Sequence, residues 1–330
     1  MNVNKISIIF TSYNHKEFLA QALDSLLDQT FKDFELIIVD DCSTDGSQNL
    51  IKSYATDSRV KLFLLDKNTG SYVHSSNFGA SKASSEYIIF AQCDDFAEST
   101  QLEKLYNEMQ SNPKVGVVYS SSRMIDINGN YLGSDFEYRG NKFRTQCALN
   151  AYINNLDMRD YLLDSCVIPN LSAALIKRSL FEKIGGLSSK YLVLADWDFW
   201  LKMSIECDFY YIRESLNNFR QHNSTIRNSV KLNLQIAEVF EMYYSFFNCN
   251  KISPLVKFHT QINIAYIWLS YFKNSKIIWL KTFFLLQKKA LKYCFYFPLV
   301  FLIATSIFPL MVIYSKIKHN FKINSATLNI

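Results

Sequence analysis

SIIFTSYNHKEFLAQALDSLLDQTFKDFELIIVDDCSTDGS, residues 7–47, carries the pattern that decides the fold. With Ile6 before it, the apolar run to Phe10 ends in the polar turn Thr11-Ser12-Tyr13-Asn14. Phe18, Leu19, Ala22, Leu23, Leu26 and Leu27 then recur at spacings of three and four, the period of one buried helix face. Phe34 to Val39 is a second uninterrupted apolar strand, and it ends at Asp40-Asp41-Cys42-Ser43. Strand, helix and strand in this order predict a parallel βαβ unit. In such sheets ligands sit at the carboxyl ends of the strands.

The same alternation continues outward. Thr44 to Tyr54 predicts a helix, Val60 to Leu65 a third strand, 77–85 a helix, and Tyr87 to Phe90 a fourth strand ending at Gln92-Cys93-Asp94-Asp95. A helix over Leu102 to Met109 and a strand over Val115 to Ser120 follow. Residues 123–160 are polar and irregular, with a turn at Asn128-Gly129-Asn130. Ser172 to Ile176 predicts a strand, and the next helix stops at Gly185-Gly186. Residues 195–206 predict a helix, and Phe209 to Ile212 an edge strand. Polar clusters thus close three strands, at 11–14, 40–43 and 92–95.

No GxGxxG follows the first strand and no GxxxxGK[ST] occurs, which excludes dinucleotide and P-loop readings. The seven cysteines form no CxxC pair, which argues against a zinc ribbon or a thioredoxin-type site. The strand ends carry carboxylates instead. Asp41 can accept from a ribose hydroxyl or a base N–H. Asp94 and Asp95 are adjacent acids after a buried strand, an arrangement that is costly unless a cation offsets it. Hard oxygen donors suit Mg2+ or Mn2+; taken alone, the pair reads equally as a solvated turn. Asp196 and Asp198 stand two apart beside Trp197 and Trp200. On a helix such positions point in different directions, so one faces a cleft. An Asp beside apolar rings suits a general base, and a helix N-cap is the plainer alternative.

Together these motifs, over Ile6 to Arg227, resemble the family 2 inverting glycosyltransferases of GT-A fold. The resemblance implies an α/β fold with a Rossmann-like, mostly parallel sheet flanked by helices. It implies that Thr11 and Tyr13, with Asn14, flank a nucleotide base, and that Asp41, with Asp40 beside it, hydrogen-bonds it. Asn68-Thr69-Gly70 and Asn77 match the family's NxG…N stretch, with Ser76 where many members carry a basic residue. Gln92-Cys93-Asp94-Asp95 matches the D-x-D-D metal motif with Gln in place of its first Asp, and gives Asp94 and Asp95 jointly to ribose and metal. Asp196 takes the place of the catalytic base, and Ala195 stands where an acid usually precedes it. Phe219-Arg220-Gln221-His222 is similar to the late Arg-x-His, which implies metal binding by His222 and a diphosphate or acceptor region at Arg220, Trp197 and Asp198. The implied chemistry is single-displacement transfer from a nucleoside diphosphate sugar, with a divalent metal as cofactor. A nucleotide-sugar-binding membrane protein that has lost catalysis is the alternative that Gln92 and Ala195 suggest.

Across the 330 residues, 49% hydrophobic and 20% charged, the formal charge is +5. It is unevenly spread. Residues 1–226 hold 22 basic and 28 acidic side chains, and residues 227–330 hold 13 basic and 2 acidic, Glu238 and Glu241. Such asymmetry points one part at an anionic surface. From Tyr293 to Ser315 run 23 residues without a charge, flanked by Lys288, Lys289, Lys292, Lys316, Lys318 and Lys322, and about 20 apolar residues suffice to span a bilayer. Amphipathic helices are expected over Leu232 to Phe247 and Val256 to Phe272. The expected order is therefore a glycosyltransferase domain (1–227), a helical extension (228–292), a membrane segment (293–315) and a basic tail (316–330). The short apolar strand at the N-terminus is no signal peptide. The expected partners are the nucleoside diphosphate sugar, a glycan or lipid-linked acceptor and the membrane, on the cytoplasmic face of the plasma membrane. Cations interleaved with long aliphatic runs do not suit a nucleic-acid groove.

Overall fold

The computed structural model describes residues 4–222 and 232–262, apart from 255 and 259. The chain divides into two compact units, Met1–Ser229 and Val230–Ile330. In the first, β1 (Ile6–Ser12), β2 (Phe34–Asp40), β3 (Val60–Leu64) and β4 (Tyr87–Gln92) run parallel in the order β3-β2-β1-β4. Every residue of β1 and β2 is buried, as the lack of alternation in their sequences requires of strands covered on both faces. Helix α1 (Lys16–Leu27) packs Phe18, Leu19, Ala22, Leu23 and Leu26 inward, each large side chain contributing about 2 kcal/mol of burial.

Register carries this local pattern to the site. Ser12 lies opposite Asp40, and Thr11 opposite both Val39 and Gln92. The polar ends of three strands are therefore level along one edge. The helices α2 (Ser47–Tyr54) and α3 (Tyr72–Ser81) complete the crossovers. Expected over 77–85, α3 instead begins five residues earlier, because the Ser71 side chain caps it by accepting from the Val73 N–H. At Gly79 a Cβ would come within 2.5 Å of Ile9 Cγ2, so a glycine is what lets α3 sit this close to β1.

Beyond β4 the sheet is mixed, not mostly parallel. After β5 (Phe96–Ala97) and α4 (Gln101–Ser111), β6 (Val115–Ile125) pairs with the short hairpin strand β7 (Tyr131–Ser134). The stretch expected to be irregular also forms α5 (Asn141–Gln146), β8 (Ala151–Ile153) and α6 (Asn155–Asp164). Then β9 (Ala174–Lys177) inserts antiparallel to both β4 and β6, entering from the opposite end after that long excursion. Helices α7 (Arg178–Lys183) and α8 (Ala195–Glu206) lead to β10 (Asp208–Arg220). This is no short edge strand. It runs 13 residues beside β6, pairing on its other side with β8 at its start and β5 near its end, and its buried Asn217, Asn218 and Arg220 hid it from the apolar pattern.

Under the sheet, Glu35 is buried beside Ser7, Ser84 and Lys61, whose Nζ is 2.5 Å from Oε2. Burial raises its pKa, but these partners outweigh it and hold it at about 2. Folded-state pKa below the unfolded value means stabilisation that is complete above pH 4.5 and is lost as pH falls toward 2. Glu35→Ala is expected to cost about 3 kcal/mol at pH 7. In urea unfolding, the gap from wild type should narrow between pH 5 and 3.

In the second unit, α9 (Leu232–Cys249) occupies the first of the two helical stretches expected there. Among the described residues, no helix is long and apolar enough to cross a membrane. The expected segment at 293–315 and the tail at 316–330 lie outside the described residues.

Candidate active site

A cavity of about 480 Å³ opens at the carboxyl ends of β1, β2 and β4. Of the residues singled out from the sequence, Thr11, Tyr13, Asp41, Asp94, Asp95, Asp196 and His222 line it. Thr11 and Tyr13 come from the end of β1, Asp41 follows β2, and Asp94 and Asp95 follow β4. Asp196 stands in the first turn of α8, and His222 follows β10. Asn68, Gly70, Tyr72, Pro169, Asn170 and Leu192 are among the other wall residues.

The buried Asp41 carboxylate accepts from Thr69 N at 2.9 Å and Thr69 Oγ1 at 2.8 Å, which shapes the 68–71 loop. It keeps acceptor capacity for a ligand, since a carboxylate has about four lone-pair sites. Asp94 Oδ2 lies 2.9 Å from His222 Nε2. Asp95 is engaged differently. Its oxygens accept from Asn170 Nδ2 at 2.9 Å and from the Arg220 N–H at 3.1 Å. Burial, reinforced by the Asp94 carboxylate, pushes its pKa well above the usual range.

Six other residues picked out from the sequence do not line the cavity and are engaged elsewhere. Asp40 is buried and accepts from Ser43 N, Ser43 Oγ and Gln48 Nε2, which folds the turn after β2. Asn14, at φ 51°, clasps that turn through Ser43 Oγ and Thr44 N. Asn77 is bonded to both the N–H and the carbonyl of Leu187, so it ties α3 to the loop that carries Leu192 and Val193. Its partner loop turns at Gly185 and Gly186, both at positive φ.

Arg220 is buried, and strand alternation sends it to the face opposite Phe219 and Gln221. Its guanidinium donates to the carbonyls of Asp94, Asp126 and Ile127 and to Gln21 Oε1. It holds the acidic loop in place and does not line the cavity. Trp197 Nε1 donates to the Leu162 carbonyl, locking α8 onto α6. Asp198 is buried with Lys202 Nζ at 2.6 Å; burial raises its pKa and Lys202 opposes the rise. Of the two acids on α8, only Asp196 reaches the cavity, as the i, i+2 spacing anticipated.

Asn170, Tyr72, Leu192 and His15 also line the site, and none of them belongs to a recognisable motif. Asn170 is a lone polar residue before a buried run, and that is its only signal.

The family model for glycosyl transferase family 2 matches residues 7–185. An uncharacterized glycosyltransferase of Haemophilus influenzae is 30% identical over 227 residues, 68% of this chain and 70% of that protein. The chain belongs to glycosyl transferase family 2. Another relative is TuaG of Bacillus subtilis, named as a putative teichuronic acid biosynthesis glycosyltransferase, 36% identical over 100 residues, which are 30% of this chain and 39% of that one. The chain thus spans between 39% and 70% of the length of these relatives. S. aureus TarS in complex with UDP-GlcNAc superposes with a TM-score of 0.62 at 18% identity, covering 83% of this chain and 74% of that one. The mannosyltransferase PcManGT of Pyrobaculum calidifontis, in complex with GDP-Man and Mn2+, gives 0.53 at 14% identity, covering 93% and 87%. Both share the fold. As a family 2 member the chain is a glycosyltransferase.

Among the described residues, no group of three or more His, Cys, Asp or Glu side chains is arranged to hold a metal ion. Asp94 and His222 nonetheless supply an oxygen and an imidazole donor within 2.9 Å of each other at the cavity wall. Mg2+ characteristically takes one or two protein ligands and completes its shell with water and substrate phosphates. The donor set of Asp94 and His222 therefore fits an ion that also takes substrate phosphate oxygens.

Proposed function

We propose that the chain is a metal-dependent, inverting enzyme that moves a sugar from a nucleoside diphosphate sugar to a hydroxyl of a lipid-linked glycan. The observation that carries this is the charge of the cavity. Four acidic side chains line it (Asp41, Asp94, Asp196 and Asp95, the last with a pKa raised by burial), and among the described residues no Lys or Arg does. A nucleoside diphosphate entering such a site needs a cation, and Asp94 with His222 is where one fits. Thr11 and Tyr13 would flank the base, with Asp41 accepting from it. Asp196 would take the proton of the acceptor hydroxyl as that oxygen attacks the anomeric carbon from the face opposite the diphosphate, which inverts the centre. The metal, when bound, would supply Lewis-acid stabilisation of the charge on the leaving diphosphate.

Support for the acceptor comes from outside the cavity. TuaG is named for teichuronic acid biosynthesis, and TarS was solved with UDP-GlcNAc. The uncharged 293–315 run and its lysines suit attachment to an anionic membrane, at about 1 kcal/mol per cation near the surface. On this reading the enzyme works at the cytoplasmic face of the plasma membrane, in surface polysaccharide assembly such as O-antigen or capsule.

The test is a screen of nucleoside diphosphate sugars, with membranes as acceptor, read as nucleoside diphosphate release. One donor is expected to turn over with Mn2+ and not with EDTA. Donor binding without release under any condition would instead favour the lapsed reading that Gln92 and Ala195 suggest. No donor binding at all would overturn both.

A further inference from the structure

Helix α3 meets the sheet with small side chains. Gly79 packs on β1 and β2, where a Cβ would come within 2.5 Å of Ile9 Cγ2 and 3.2 Å of Val39 Cγ2. One turn earlier on the same face stand the buried Ser75 and Ser76. One turn earlier still, the face ends in a large aromatic, Tyr72. Two turns of helix carry Tyr72 about 10 Å from Gly79. The strand from Ile9 to Ser12 covers about the same length, so Tyr72 reaches the level at which β1 and β2 end. There it lines the cavity and is partly exposed.

The bonds that engage Asp41 also fix the approach to Tyr72. Asp41 N donates to the Ser12 carbonyl at 2.9 Å, and its carboxylate accepts from Thr69 N and Oγ1. Thr69 Oγ1 lies 3.1 Å from the Ser71 carbonyl, one residue before Tyr72, and Ser71 Oγ caps the helix. Tyr72 thus follows directly on the loop that Asp41 shapes. Ser75, the other α3 residue in the cavity wall, donates its hydroxyl hydrogen to the Tyr72 carbonyl at 3.2 Å. The Tyr72 ring is therefore the largest surface that α3 offers to a ligand.

We infer that Tyr72 is a nucleobase-stacking residue, its ring lying against a face of the base whose edge Asp41 accepts from. The inference rests on the nucleotide reading of the cavity. The physical reason is that Asp41 reads an edge of the base and covers neither face. Tyr13 brings aromatic surface from the end of β1, and Tyr72 brings it from α3, a different element. Stacking on such a ring tolerates any base, because every base has a π-face. Tyr72 accordingly sets the affinity for the nucleoside part of the donor and leaves the choice of base to edge contacts.

The test uses the full chain and calorimetry with UDP, GDP, CDP, ADP and dTDP in Mn2+, continued with the one that binds most tightly. Tyr72→Ala is expected to weaken it about tenfold, and Tyr72→Phe, which keeps the ring, to stay within about twofold of wild type. Pyrophosphate with Mn2+ has no base, and is expected to bind Tyr72→Ala and wild type alike. Unchanged nucleotide affinity in Tyr72→Ala overturns the stacking role. Loss in Tyr72→Phe equal to that in Tyr72→Ala also overturns it, and assigns the effect to the hydroxyl. So does a loss of pyrophosphate affinity as large as that of the nucleotide, since stacking on a base cannot act on a ligand without one. Absence of binding by every nucleoside diphosphate in the wild type overturns the nucleotide reading itself, and the inference falls with it.

Discussion

Asp196→Asn is expected to abolish sugar transfer while leaving donor binding within about twofold of wild type. The substitution is nearly isosteric, and Asp196 Oδ1 accepts from the Trp197 N–H at 2.8 Å, a bond an amide oxygen can also make. The first turn of α8 should therefore keep its shape. What is lost is the basic oxygen. General-base catalysis is worth about a hundredfold to ten-thousandfold, so kcat should fall about a thousandfold while the donor dissociation constant holds. Asp198→Asn is the control. That carboxylate is buried against Lys202 away from the cavity, so its loss should lower stability and leave kcat nearly intact. Nucleotide-release kinetics beside donor-binding calorimetry separate the two. Turnover retained in Asp196→Asn removes it as the base.

The difference between these two acids also shows how far the sequence could be read. The i, i+2 spacing predicts that one faces a cleft, but only packing decides which. Burial of Asp198, Phe199 and Trp200 turns that side of α8 into the core and leaves Asp196 on the cavity. The central βαβ units were legible because their strands are wholly apolar and their helices keep one period. The far half of the sheet was not. The placement of β9 depends on a chain excursion with no periodic signature, and β10 carries polar residues whose partners, Ser122 and Glu98 among them, lie about a hundred residues away in sequence. The same limit applied at the site. Asp40, Asn77 and Arg220 are polar residues at the right places in a motif, yet each spends its hydrogen bonds on backbone or loop partners. Sequence position shows that a polar group is present and not which way it is satisfied.

Asp94→Ala is expected to remove metal-dependent donor binding, and Asp95→Ala to act mainly on stability. The adjacent acids differ in what surrounds them. Asp94 meets His222 at the cavity wall. Asp95 holds Asn170 and the Arg220 N–H inside the protein. If Asp94 and His222 share one cation with the diphosphate, losing Asp94 and withdrawing the metal are the same event. Their effects should then not add. Wild type titrated with its donor should bind at least tenfold more tightly in Mn2+ than in EDTA, whereas Asp94→Ala should bind equally weakly in both. Asp95→Ala should unfold at lower urea concentration, because it strands an amide and a backbone N–H at about 1–3 kcal/mol for each buried unsatisfied group. Its folded fraction should keep the Mn2+ response. Calorimetry in which Asp94→Ala retains the full Mn2+ enhancement, or in which Asp95→Ala alone loses it at wild-type stability, would assign the metal to the other carboxylate.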